Sequence, residues 1–209
     1  MSILDELNVE QRKAAEKIEG PVLILAGAGS GKTRTVTYRI AHMIKEMGIS
    51  PLNILALTFT NKAAKEMKER AEQLVGSDSH NLAISTFHSF AVRLLKTYAD
   101  RIGYGRNFNI YDVDDQKSLI GKIIKELNIN SDEISPSKVA NRISKLKEDG
   151  IGVKELEKEI DVKLYSNRIF YDIYKQYDST LRANNAMDFS DLLLNARRIL
   201  VDTYVLERV

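Results

Sequence analysis

The chain has 209 residues, 44% of them hydrophobic and 29% charged, the composition of an ordinary soluble globular protein of one large or two small domains. It contains no cysteine, which excludes disulfide frameworks and thiolate metal sites, and its net charge of +2 is silent on nucleic acid, because binding depends on where Lys and Arg sit. The opening M-S-I-L-D-E-L-N lacks the basic-then-apolar layout of a signal peptide and no apolar run approaches bilayer length, so a cytoplasmic location without a membrane role is expected.

In chain order, V-L-I-L-A (Val22 to Ala26) is predicted as a strand. Apolar residues at Val36, Ile40, Met43, Ile44 and Met47 then have helical spacing, with Gly48 suited to a C-terminal cap. A second strand, Ile54 to Phe59, leads into a helix with Ala63, Ala64, Met67, Ala71 and Leu74 on one face and Gly76 after it. Leu82 to Phe87 is predicted as a third strand, followed by a helix through Ala91, Leu94, Leu95 and Tyr98, and N-F-N-I-Y-D offers a short fourth. Strands alternating with helices predict a mostly parallel sheet with helices on its faces.

After Asp112 the strand signals stop. Helices are predicted over Asp112 to Leu127, from Ser135-Pro136 through Val139, Ile143 and Leu146, over Tyr165 to about Arg182, and from a cap at Asp188 through Leu192, Leu193, Ala196 and Leu200. This stretch reads as a helical insertion or subdomain. Tyr165, Tyr171, Tyr174 and Tyr177 lie amid Arg168, Lys175 and Arg182, but at helical spacing they read as core and rim before they read as a nucleic-acid surface.

The stretch A-G-A-G-S-G-K-T-R carries the chemistry. It fits the phosphate-loop pattern G-x-x-x-x-G-K-[ST] except that Ala26 stands at the first position. Glycines let consecutive backbone N–H groups turn toward phosphate oxygens. Ala28, Gly29, Ser30 and Gly31 would form the cradle, Lys32 would reach the β and γ phosphates, and Thr33 would ligate Mg²⁺ at the start of a helix whose dipole favours the anion. Lys32 and Thr33 are thus the catalytic candidates, Thr33 the metal candidate, and ATP with Mg²⁺ the expected cofactor. Hydrolysis also needs a carboxylate at the end of a neighbouring strand. Among acidic pairs, Asp5-Glu6, Asp114-Asp115 and Asp132-Glu133 read as caps or solvated charges, so that carboxylate is expected to lie outside these residues.

Five stretches in order, L-N-V-E-Q, A-G-A-G-S-G-K-T-R, T-F-T-N-K-A-A-K-E-M, T-F-H-S-F-A and M-D-F-S-D-L-L, resemble the superfamily-one DNA helicases of the UvrD, PcrA and Rep type. The resemblance covers essentially the whole chain. It implies an α/β fold: a RecA-like P-loop NTPase domain with a parallel sheet over residues 1–111, an inserted all-helical subdomain over 112–184 and a return to the motor domain over 185–209. It implies the N-terminal part of an ATP-dependent DNA helicase moving 3′ to 5′, with single-stranded DNA and single-strand/duplex junctions as partners and protein partners unspecified. In the family the acidic strand, the second motor domain and the arginine finger come next, so Val209 is expected to be a cut before them. Weak nucleotide binding and almost no turnover are then expected.

The resemblance also assigns residues. Gln11 resembles the adenine reader, since an amide can donate to N7 and accept from the amino group of adenine. Arg34 resembles the arginine that packs on the base. T-F-T-N-K resembles the first DNA-contacting motif: Phe59 would stack on a base or end a buried strand, and Thr58, Thr60 and Asn61 would bond phosphate or cap the next helix. T-F-H-S-F resembles the next, with Thr86 and His88 as candidates for backbone contact. Lys62, Lys65 and Lys68 read as a solvated face, and Asp188 with Asp191 as a cap. The rival readings are a helicase-nuclease fragment, a small phosphotransferase and a nucleotide-binding module without catalysis.

Overall fold

The structure, a computed structural model, describes residues 2–129 and 134–209, so the pair Asp132-Glu133 lies outside the described residues. The chain divides into two compact units, Met1–Phe87 and His88–Val209.

In the first unit, a short 3-10 turn at Ile3–Glu6 precedes helix α1 (Val9–Glu16), whose start is fixed by a capping box between Asn8 and Gln11. The glycine-rich loop follows and runs into α2 (Lys32–Lys45), which ends before Gly48 at φ +68°. Strand β1 (Leu55–Thr58), helix α3 (Asn61–Val75) and strand β2 (Ala83–Thr86) form a β-α-β unit, the two strands parallel with Thr58 opposite Thr86. Ile40, Ala41 and Ile44 of α2, Met67, Ala71 and Val75 of α3, and the flanking Ile54 and Leu82 close one apolar core. Ile40, Ile44, Met67 and Ala71 belong to the predicted helix faces, Ala41 and Val75 join them, and burying them is what holds this unit.

The second unit begins in the first turn of α4 (Phe87–Tyr98). Strand β3 (Asn109–Tyr111) leads to α5 (Val113–Glu126), capped by Asp112, whose side chain accepts from the N–H groups of Asp114 and Asp115. Helices α6 (Pro136–Glu148), α7 (Val153–Glu159) and α8 (Tyr165–Ala183) follow, then strand β4 (Ala186–Asp188), α9 (Phe189–Leu200) and α10 (Thr203–Leu206). Strand β4 pairs in parallel with β3, Tyr111 opposite Asp188. One core joins α5, α6, α7 and α8 and contains Tyr171, Tyr174 and Tyr177, so these tyrosines are core residues while Tyr165 is exposed. A second core joins α4 and α9 around Leu95, Met187 and Leu192.

Three expectations change. Among the described residues the fold is mostly helical, with two two-stranded parallel sheets in place of one continuous sheet. The run Val22 to Ala26 is not a strand: it forms no ladder among the described residues, and Leu23 and Leu25 are 82% and 85% exposed. An apolar extended run becomes a strand only when a neighbour takes its N–H and C=O groups. Strand signals also do not stop at Asp112, because Ala186–Asp188 pairs with β3.

Candidate nucleotide and nucleic-acid sites

The first site is built at the N-terminus of α2. Gly29 and Gly31 sit at φ +78° and +84°, a region that L side chains adopt only at a cost, and Gly31 takes the N-cap position. A glycine cannot cap with a side chain, so the helix presents its first N–H groups to the loop without a side-chain acceptor. Such an end carries partial positive charge and suits an anion. Lys32 is exposed and its Nζ donates to the carbonyls of Ala26 at 2.9 Å and Gly27 at 2.7 Å, so its ammonium lies along the loop. Ser30 closes the loop on itself, donating N–H and Oγ to the Gly27 carbonyl. Added Cβ atoms at Gly27 and Gly29 would meet nothing within 4 Å. An open, glycine-lined helix end with an exposed cation beside it fits a polyphosphate.

Helix α1 is strapped against α2 beside this loop. Gln11 donates Nε2–H to the Ser30 carbonyl at 2.9 Å, while its Oε1 accepts from Asn8 N at 3.3 Å. An added Cβ on Gly31 would stand 2.6 Å from that amide nitrogen, so Gly31 is required twice, for its φ and for Gln11. Arg34 donates to the Glu6 carbonyl at 2.9 Å and lies 5.3 Å from the centroid of the Tyr38 ring. Tyr38 in turn donates its hydroxyl to Glu6, a bond that raises the phenol pKa, with burial adding to the rise. Arg39 donates to the carbonyls of Ala14 and Ile18 and fastens the end of α1. An open cavity of about 570 Å³, within the size range of small-molecule sites, is lined by Asn8, Gln11, Lys13, Ser30 and Lys32 with the apolar run from Val22.

The second site is at the C-terminal ends of β1 and β2. Parallel pairing sets Thr58 beside Thr86, which brings T-F-T-N and T-F-H-S together at one end of the sheet. The residues that follow, Phe59 and Phe87, place their rings 5.4 Å apart, and Phe59 is 93% exposed. Leaving that much aromatic surface in water is unfavourable, so this ring does not serve the core. Thr58 donates its hydroxyl to the Thr60 carbonyl at 3.1 Å, and Thr60 Oγ1 accepts from Ala63 N at 3.1 Å as the N-cap of α3. Asn61 and Lys62 are exposed on the first turn.

The sequence pattern of the UvrD/REP helicase N-terminal domain matches residues 7–208. The chain belongs to the UvrD/REP helicase family. It is 46% identical over 193 residues, 92% of its length, to the ATP-dependent DNA helicase PcrA of Staphylococcus aureus, and equally so to the PcrA of Staphylococcus epidermidis. It spans 26% of the length of each of these relatives.

Against this family membership, the structure brings Gln11 onto the loop at Ser30, and joins the strand ends that carry Thr58 and Thr86. It places Arg34 on Tyr38 and Glu6, and gives Thr60 to a helix cap. In the second unit, His88 is exposed on α4 and meets Phe189 edge to face, with ring centroids 5.9 Å apart. Phe189 was not singled out by the sequence, although an aromatic directly after a capping Asp is a local signal that could have marked it. Asp188 and Asp191 do form the expected capping box on α9. Both are also buried against Lys147, which no sequence pattern pointed to.

Proposed function

We propose that this chain is the nucleotide-binding and strand-gripping part of an ATP-dependent DNA helicase, with a RecA-like motor domain over residues 1–111 and 185–209 and an inserted helical subdomain over 112–184. The observation that carries it is the pairing of Thr58 with Thr86, which sets the exposed Phe59 at the strand ends in the same unit that holds the loop from Gly27 to Gly31. Ligands of α/β proteins bind at the carboxyl ends of parallel strands, and an exposed aromatic there is a stacking platform for an unpaired base.

ATP with Mg²⁺ is the proposed cofactor, and it would supply the phosphoryl chemistry. The chain's own residues bind and orient: Ala28, Gly29, Ser30 and Gly31 and the start of α2 would cradle the phosphates, the Ser30 N–H leaving the Gly27 carbonyl to do so. Lys32 neutralises them, Thr33 offers a hydroxyl to the metal, and Gln11 and Arg34 bound the base. Lys32 must leave the Ala26 and Gly27 carbonyls to do this, so phosphate binding changes the loop's own hydrogen bonds. Single-stranded DNA would be held by Phe59 stacking and by polar contacts from Thr58, Asn61, Thr86 and His88, with polarity 3′ to 5′. By itself the chain is proposed to bind nucleotide weakly and to hydrolyse it hardly at all, as among the described residues no strand ends in an adjacent acidic pair.

Titrating a labelled oligo-dT with the chain and with its Phe59→Ala variant tests the strand-binding part. A loss of about 1–3 kcal/mol in affinity is expected, the size of one base–aromatic stack, without a change in melting temperature. Equal affinity of the two proteins would remove Phe59 and its strand end from the site.

A further inference from the structure

The second unit contains a charge cluster closed off from water. Lys147 of α6 is 2% exposed, and its Nζ lies 2.7 Å from Asp188 Oδ2 and 2.7 Å from Asp191 Oδ1. Tyr177 of α8 donates its hydroxyl to the same Asp188 oxygen at 2.9 Å, and Gln116 of α5 approaches it at 3.4 Å. The ammonium also lies 5.1 Å from the Tyr177 ring centroid.

Burying one ammonium and two carboxylates carries a desolvation cost that their attraction must repay, and packed apolar side chains would hold the helices together equally well. Apolar packing would not set a direction. Here each carboxylate uses its two oxygens for two purposes. Asp188 gives Oδ2 to Lys147 and Oδ1 to the Asp191 N–H at 2.8 Å; Asp191 gives Oδ1 to Lys147 and Oδ2 to the Asp188 N–H at 3.2 Å. One ammonium therefore clamps both halves of the box that starts α9. Between the two aspartates stands Phe189, 49% exposed, with its ring against the exposed His88. A cavity of about 70 Å³ lined by Gln116, Asp188, Phe189 and Ser190 adjoins the clamp, so this turn has room to shift once released. The far half of α9 is anchored separately: Arg198 pairs with Glu155 at 3.6 Å, and added Cβ atoms on Gly150 and Gly152 would strike Arg197 and Arg198.

We infer that Lys147 is a positioning residue for the aromatic pair His88 and Phe189: by clamping Asp188 and Asp191 it fixes the first turn of α9, and so holds the Phe189 ring against His88 at the protein surface. Its role in strand binding rests on the reading of His88 as a DNA contact. The clamp itself does not.

The chain has no tryptophan, so Phe189→Trp creates a single fluorescent reporter at this pair. In that background Lys147→Met is combined with Asp191→Asn, which removes one positive and one negative charge together. Far-UV circular dichroism and melting report the fold, acrylamide quenching of the introduced indole reports the turn, and an oligo-dT titration reports binding. Retained helical signal, increased quenching and about tenfold weaker oligo binding, the scale of one lost stack, are expected. Retained fold with unchanged quenching overturns the inference. If the double variant does not fold, Tyr177→Phe in the same background removes one donor to Asp188 without touching charge; increased quenching supports the clamp and unchanged quenching overturns it. Failure of the parent reporter protein to bind oligo-dT refutes the DNA reading alone, because the quenching comparison needs no DNA.

Discussion

The glycine loop and the Lys147 cluster each centre on one lysine, and they differ in every physical respect. Lys32 is exposed and held only by two carbonyls of its own loop, so its hydrogen bonds are exchangeable for those of a ligand. Lys147 is enclosed by two carboxylates, a phenol and an amide drawn from four other elements, so its bonds are part of the fold. Burial by itself pushes the Lys147 ammonium pKa down, but the attraction of Asp191 and Asp188 outweighs it and the net shift is upward. A cation that must respond to a ligand is left in water, and a cation that must set geometry is taken out of it.

The largest test of this contrast is to remove each charge in turn. Lys147→Met leaves two carboxylates buried without their counter-ion and is expected to lower stability by about 3–5 kcal/mol in chemical denaturation. Lys32→Ala is expected to lie within about 0.5 kcal/mol of the parent, as surface changes away from packed or paired groups do. Comparable losses in the two variants would break the comparison.

A smaller effect is expected inside the loop. Gly31→Ala puts a Cβ at φ +84° and 2.6 Å from the Gln11 amide nitrogen, a strain of about 1–2 kcal/mol for the left-handed backbone before any clash with Gln11. The strain burdens the folded chain with or without ligand, so a melting point lower by a few degrees is expected, with weaker nucleotide binding where the displaced Gln11 alters the loop.

A further effect is the pH dependence of the cluster, where burial and Lys147 act on Asp191 in opposite directions. Burial prevails and its carboxyl pKa is pushed up to about 6 from an ordinary 3.8. Between those values the folded chain keeps a proton that the unfolded chain has released, so this group's contribution to stability falls as pH rises from about 4 to about 6. The stability difference between the parent and Asp191→Asn, followed across that window, should show this slope. A flat difference would mean that Asp191 stays ionised throughout.

The same contrast explains what the sequence made legible. The loop, the capping aspartate at 188 and the faces of α2, α3, α5 and α8 are contiguous or periodic, and each is written within a few residues. The Lys147 cluster is not, because Gln116, Lys147, Tyr177, Asp188 and Asp191 meet only once α5, α6, α8 and β4 have packed. Strand β4, with the sequence Ala-Met-Asp, is too short to show alternation and exists through its pairing with β3. Val22 to Ala26 shows the converse: apolar and extended, it satisfies every local criterion for a strand, yet strand formation is a property of two segments. At the candidate sites the residue types were readable, but not their present partners. That Gln11 holds Ser30, or that Arg34 lies on Tyr38, depends on how α1 is fastened to α2.

The most direct measurement is the thermal midpoint of the chain and of its Lys32→Ala variant, each with and without saturating Mg-ATP. A ligand that binds only the folded state at a hundredfold excess over its Kd adds about 2.7 kcal/mol, which for a chain of this size is a rise of several degrees. On the phosphate-loop reading, equal midpoints without nucleotide, a rise for the parent protein and none for the variant are expected. An equal rise in both, or none in the parent, would contradict it.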